Sequence, residues 1–140
     1  MPLDIPECFY RLSVKGLILD ENRRFLLVRE DNGMWELPGG GLDFGETAQE
    51  GLQREIWEEM QLKTKSIAGQ PCCFFTVKNH QGVFIANVIY MTELENLQFV
   101  PSPECCAVRY FSSGEVLEAA NMYPNVREFA RIFSHQNLIK

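Results

Sequence analysis

PGGGLDFGETAQEGLQREIWEEMQL, residues 38–62, sets a run of bare backbone directly ahead of a helix that gathers its acid on one side. Three consecutive glycines after Pro38 exclude the interior of a helix or strand, so residues 38–41 read as a loop. Thr47 followed by Glu50 has the spacing of a capping box, in which each side chain satisfies the other residue's backbone N–H. Ala48, Leu52 and Ile56 recur at i, i+4 and i+8 and give one apolar stripe, so the spacing predicts a helix over residues 47–60. Trp57 points away from that stripe. Gly51 weakens the helix by up to about 1 kcal/mol relative to alanine, and the sequence offers no reason for it.

Glu55, Glu58 and Glu59 stand at i, i+3 and i+4, on one face of that helix. Like charges at this spacing destabilise a helix unless a cation sits among them. Arg54 relieves part of the repulsion. A hard divalent cation relieves far more, and a set of oxygen donors suits Mg²⁺ or Mn²⁺. The plainer alternative for a glutamate cluster alone is a solvated acidic surface. What distinguishes this one is the glycine run before it, whose bare backbone can approach a ligand and offer a carbonyl. Glu46 precedes the helix, where a carboxylate favours the positive end of the dipole, and it can brace Arg54 about two turns on.

Outward from this stretch, residues 11–19 (RLSVKGLIL) and 25–29 (FLLVR) read as strands joined by the polar turn Asp20–Arg23, a hairpin. Residues 62–68 are a further strand. Residues 72–78 and 83–91 flank Asn79-His80-Gln81-Gly82 and form a second hairpin, the latter strand apolar enough to be central or an interface. A last strand covers 106–111, followed by a short helix over 113–119. A final helix is marked by Asn125 with Glu128, with Val126, Phe129, Ala130 and Phe133 on its apolar face. Phe74, Phe75, Phe84 and Tyr90 are expected in the core, while Tyr123 and Phe129 fit either core or ligand contact. Strands flanked by a few helices predict a mixed sheet with helices on both faces, an α/β (α+β) fold.

The 140 residues fit one domain, and 46% hydrophobic with 23% charged residues is a globular composition. A net charge of −6 disfavours a nucleic-acid polymer as partner, although a bound metal can reverse the field locally for a small phosphorylated molecule. The five cysteines, Cys8, Cys72, Cys73, Cys105 and Cys106, include two vicinal pairs and no C-x-x-C. They are expected as buried thiols of a reduced protein, with a zinc site from the two pairs as the weaker alternative; neither His80 nor His135 has zinc-finger spacing. The N-terminal MPLDIPECFY lacks the pattern of a signal peptide, and no segment has the roughly 20 apolar residues of a membrane span. The expectation is a cytoplasmic protein without a membrane partner, as a monomer or homodimer.

The stretch resembles the Nudix box, G-x5-E-x7-R-E-U-x-E-E-x-G-U with U a bulky apolar residue. Gly40, Glu46, Arg54, Glu55, Ile56, Glu58, Glu59 and Leu62 match it at the right spacing. Trp35 to Gly40 resembles the Trp-x-Leu-Pro-Gly-Gly run that leads into the box, and Glu104 ahead of Tyr110-Phe111 resembles a late family glutamate. The departure is Gln61, where the pattern has a glycine that ends the helix in a left-handed conformation. The resemblance implies a single Nudix domain over residues 1–140, an α/β/α sandwich with a mixed central sheet. It implies Mg²⁺, with Mn²⁺ a substitute, held by Glu55, Glu58, Glu59 and the Gly40 carbonyl. Glu58, Glu59 or Glu104 would be the general base, with Glu46 and Arg54 as braces. The implied reaction is hydrolysis of a phosphoanhydride in a nucleoside diphosphate linked to another group, such as a nucleoside triphosphate or nucleotide sugar. The alternatives are a non-catalytic Nudix-fold module that senses a nucleotide and a structural protein with an acidic helix. Arg29, at a strand end, and Trp35 are candidate substrate contacts; an exposed arginine and a core tryptophan are the plainer readings.

Overall fold

Two apolar runs far apart in the chain lie side by side. Strand β1 (Arg11–Leu17) pairs in parallel with β7, the long strand Phe84–Leu94, placing Val14 opposite Val88. The computed structural model describes residues 7–135; the N-terminal residues read above for a signal peptide lie partly, as residues 1–6, outside the described residues. Between β1 and β7 in sequence come β2 (Phe25–Arg29), β3 (Trp35–Glu36), β4 (Gly39–Gly41), helix α1 (Ala48–Met60), β5 (Thr64–Ile67) and β6 (Cys73–Lys78). After β7 follow β8 (Ala107–Phe111), α2 (Ser113–Glu118) and α3 (Pro124–His135).

One sheet runs β4-β1-β7-β5, with β6 also paired to β7; a second, three-stranded sheet runs β3-β2-β8. The β6–β7 hairpin has the expected antiparallel register around the Asn79–Gly82 turn. The hairpin expected between the first two strands does not form as a ladder. Leu19 bridges Phe25 and the Leu26 N–H donates to the Ile18 carbonyl at 2.9 Å, but β2 then pairs with β3 and β8 in the other sheet. The turn itself is tight: the Asp20 carboxylate accepts from the N–H groups of Asn22 and Arg24, and Arg23 has φ 60°. That knot redirects the chain from one sheet into the next.

The glycine run is a second correction. Gly39–Gly41 is a short edge strand paired antiparallel to β1, with Gly40 opposite Val14. Glycine permits this because of how closely the strands approach. At Gly39, with φ +119°, a Cβ would lie 2.1 Å from the Val14 carbonyl oxygen.

Helices cover both sides of the sheets. Leu52, Ile56 and Met60 of α1 pack with Val14, Val28 and Tyr90, each buried side chain contributing roughly 2 kcal/mol. On the other side Val126, Phe129 and Ala130 of α3 pack with Leu17, Phe25, Leu27 and Phe75. The mixed sheet between helical layers is the architecture the sequence implied. Helix α3 begins at Pro124, one residue before the expected start, because proline suits the first helical position. Asn125 therefore caps nothing and lies buried in the first turn. Phe75 and Tyr90 are core as expected, whereas Phe74 and Phe84 are exposed, on the face of the sheet opposite Phe75. Of the cysteines only Cys105 is buried; Cys72 and Cys73 are half-buried, and Cys8 and Cys106 are exposed, since most of them lie at strand ends and in loops. No described helix is long and apolar enough to cross a membrane.

Helix α1 ends at Gln61 in the left-handed conformation, φ 54° and ψ 37°, its N–H donating to the Trp57 carbonyl at 2.8 Å. The geometry the box glycine supplies is thus retained by a residue that adopts it at a cost. Gln61→Gly is expected to raise stability by about 1 kcal/mol, a melting temperature higher by about 3 °C, because relief of left-handed strain exceeds the entropy glycine adds to the unfolded chain. An unchanged or lower melting temperature would show that the Gln61 backbone is not strained.

Candidate active site

The capping box fixes where α1 begins: Thr47 Oγ accepts from the Glu50 N–H at 3.1 Å, and Glu50 Oε1 accepts from the Thr47 N–H at 2.8 Å. With Leu52, Ile56 and Met60 turned inward, the helical repeat carries Glu55, Glu58 and Glu59 to the edge that meets β4. Gly51, unexplained from sequence, has its reason here. A Cβ at this position would lie 2.5 Å from Leu42 Cδ1 and 2.9 Å from Glu46 Oε1, so glycine lets the loop close on the helix.

Arg54 ties the parts together. Its guanidinium donates to Glu46 through two nitrogens, at 2.6 and 3.0 Å, to Glu55 at 3.0 Å, to Glu58 at 3.2 Å and to the Gly41 carbonyl at 3.0 Å. The Arg54 hydrogen bonds, with the Asp43 N–H, hold the Glu46 carboxyl at about 2, well below the usual carboxylate range. Glu46 above all, then Glu55 and the Asp43 charge, raise Arg54 further above its ordinary value. Glu46 and Arg54 thus form a two-nitrogen forked ion pair.

Glu55 and Glu59 press against the glycines. A Cβ on Gly40 would stand 2.5 Å from Glu55 Oε2, so only glycine leaves that carboxylate its place. Burial raises the Glu55 carboxyl, with Arg54 opposing. Glu59 is 6% exposed, and its Oε1 accepts the Gly39 N–H at 2.9 Å. Its Oε2 accepts no hydrogen bond from the described residues. Burial pushes the Glu59 carboxyl up to about 8, against the pull of Lys15 and the Gly39 N–H, with Glu55 and Glu104 adding repulsion. Glu58 is the outermost of the three, its side chain 53% exposed.

Among the described residues no three acidic, histidine or cysteine side chains converge as a finished ligand cluster, since Arg54 draws Glu55 and Glu58 toward itself. The donor chemistry nonetheless fits a hard divalent cation. Glu55 and Glu59 lie against bare glycine backbone, Glu58 stands outermost on the same edge of the helix, and all three offer hard oxygen donors.

This has a pH signature. The Glu59 carboxyl ionises near 4.5 when unprotected and near 8 in the fold. Its contribution to stability is complete below 4.5 and lost as pH rises to about 8. In EDTA, the melting temperature is expected to decline more across pH 5–8 for the native chain than for Glu59→Gln; parallel curves would contradict a buried neutral Glu59. Glu46 works in the opposite direction, its contribution being lost as pH falls from 4.5 toward 2.

Beside the glycine strand opens a cleft of about 260 Å³. Arg11, Ser13 and Lys15 line it from alternate positions of β1, with Gly40 and Gly41 next to them. Across from these lie His80 of the hairpin turn and Tyr123 and Asn125 at the start of α3, the His80 and Tyr123 ring centroids 5.4 Å apart. A buried polar ladder backs this wall. Asn87 Nδ2 donates to Asn125 Oδ1 at 2.8 Å, Asn125 Nδ2 donates to Glu36 at 3.1 Å, and Asn87 Oδ1 is buried without a partner. Lys15, 4% exposed, donates from Nζ to the carbonyls of Leu37 and Gly39 at 3.3 and 3.1 Å.

Glu104 sits on the loop before β8, near enough to Glu59 to repel it. That loop is fastened to the end of α1, Ser102 Oγ donating to the Glu59 carbonyl at 3.0 Å and the Val100 N–H to the Met60 carbonyl at 3.0 Å. Arg29 is exposed at the end of β2, its guanidinium 5.8 Å from the Trp35 ring centroid. Trp35 is core, packed edge-on to Phe111 with centroids 4.9 Å apart, and neither Arg29 nor Trp35 lines the cleft. Sequence reasoning missed Lys15, Glu36, Asn87 and Asn125. The signal for the first was present: Arg11, Ser13 and Lys15 form a polar alternation inside an apolar strand.

The chain is 33% identical over 125 residues to the phosphatase NudJ of Escherichia coli K12, covering 79% of this chain and 74% of that protein. It is 44% identical over 57 residues to a MutT-like protein of Streptomyces ambofaciens, a match that spans 40% of this chain and 37% of the relative's length. The fold superimposes on the crystal structure of the MutT protein from Methanosarcina mazei Go1 with a TM-score of 0.69 and 27% identity, covering 97% of this chain and 99% of that one. The family model described as NUDIX domain matches residues 9–133, and with the box carboxylates set against the glycine strand the chain belongs to the NUDIX domain family of hydrolases.

Proposed function

We propose that the chain hydrolyses a phosphoanhydride bond in a small nucleotide, such as a nucleoside triphosphate or a nucleotide sugar, with Mg²⁺ held by Glu55, Glu58, Glu59 and the Gly40 carbonyl. One observation carries this reading: Glu59 is buried against the Gly39 N–H, and Glu55 lies where only glycine at position 40 allows it. The ion, when bound, neutralises phosphate oxygens and lowers the barrier to attack by water. Arg54, anchored on Glu46, keeps Glu55 and Glu58 at the helix edge beside the glycine strand until the ion competes for them. Arg11 and Lys15 supply positive charge to a cleft in a chain of net charge −6, which favours an anionic ligand there. Glu58 or Glu104, both exposed, receives the proton of the attacking water. The buried amides Asn87 and Asn125 with Glu36 offer hydrogen-bonding groups of the kind that recognise a polar heterocycle.

A panel of nucleoside triphosphates and nucleotide sugars, incubated with Mg²⁺ and read by product mass in ¹⁸O-labelled water, tests this. The expected result is a nucleoside monophosphate product carrying label on one of the two new phosphate ends. Binding without turnover across the panel would contradict hydrolysis and leave a nucleotide sensor.

A further inference from the structure

Lysine is among the residues least often buried, and one that is fully enclosed needs a reason. Lys15 is 4% exposed in the middle of β1, and Gly39 connects it to the box. The Gly39 carbonyl accepts from Lys15 Nζ at 3.1 Å, while the Gly39 N–H donates to Glu59 Oε1 at 2.9 Å. One peptide residue thus stands between a fixed cation and the most buried box carboxylate. A second hydrogen bond, to the Leu37 carbonyl at 3.3 Å, ties the same ammonium to the other side of Pro38. Two of its three protons are committed to backbone, so the charge is held in place.

We infer that Lys15 is a positioning residue that fixes the glycine strand and acts as a built-in countercharge to the Glu55–Glu59 cluster, restraining its grip on a free divalent ion. The inference rests on the metal site proposed above. Its consequence is that the ion is gathered most effectively together with an anionic phosphate, whose negative charge offsets the cation the protein keeps there. The opposite sign of effect separates this from a purely structural role. A lysine that merely holds the turn would, when replaced, loosen the ligands and weaken metal binding. A countercharge, when removed, strengthens it.

The test is Mg²⁺ binding to the substrate-free protein by isothermal titration calorimetry, with melting temperature as a check of folding. Lys15→Met and Lys15→Gln are both neutral, and glutamine keeps a donor for the carbonyls should methionine fail to fold. Each is expected to bind Mg²⁺ about tenfold more tightly, the size of a single charge acting at short range in a partly screened interior. Lys15→Arg, which keeps the charge, is expected to stay near the native affinity. In a Glu59→Gln background the gain from Lys15→Met should shrink, showing that the two charges are coupled. Unchanged or weaker Mg²⁺ binding in folded Lys15→Met or Lys15→Gln overturns the inference while leaving the metal site standing. No Mg²⁺ binding by the native chain overturns the metal site and the inference with it.

Discussion

Glu58→Gln and Glu59→Gln, assayed at saturating Mg²⁺, are expected each to lower turnover by at least about 10²-fold with the fold retained. Glutamine preserves shape, and at position 59 it preserves the acceptor that takes the Gly39 N–H. What it removes is the negative charge. For Glu59 the loss of charge costs the metal-free fold nothing, because the enclosed carboxyl is already pushed toward its neutral form. Glu58 is largely exposed, so its replacement leaves the core untouched. Circular dichroism and melting temperature would verify folding alongside the rate. Near-full activity in both variants would remove these residues from the mechanism.

Arg54→Met is expected to lower activity by about 10- to 100-fold, the usual effect of losing a partner that orients metal ligands. One guanidinium engages Glu46, Glu55, Glu58 and the Gly41 carbonyl. Without it, three carboxylates repel one another across the start of the site, and the loop between β4 and α1 loses its tie to the helix. The melting temperature falls as well. Arg54→Lys is expected to recover little, since an ammonium cannot reproduce the two-nitrogen fork on Glu46. Full rescue by lysine would mean that the charge at position 54 matters and the geometry does not.

The residues around α1 were legible because their determinants are local. A capping box, an i, i+4 apolar stripe and acids at i, i+3, i+4 are properties of one helix, and Thr47, Glu50, Glu55, Glu58 and Glu59 stand where that spacing puts them. The β6–β7 hairpin was legible for the same reason, its turn lying between the strands it joins. The partner of β1 was not, because the parallel pairing with β7 is set by packing on both faces of the sheet. That pairing also claimed the edge of β1 and sent β2 to the other sheet. Gly39–Gly41 defied the rule against glycine in strands because close approach to Val14 outweighs the loss of side-chain packing. The second half of the site is assembled from β1, β3, β7 and the first turn of α3, so Lys15, Glu36, Asn87 and Asn125 share no motif. They meet only once the sheet and α3 are in place.

Most direct is the location of the ion itself. With Mn²⁺ added in substoichiometric amounts to the ¹⁵N-labelled protein, paramagnetic broadening in the amide spectrum reports which backbone lies near the metal. Selective loss of the Gly39, Gly40, Glu55, Glu58 and Glu59 signals, absent in Glu59→Gln, is the predicted result. Broadening centred elsewhere, or none at concentrations that support turnover, would contradict a metal site built from this helix and its glycine strand.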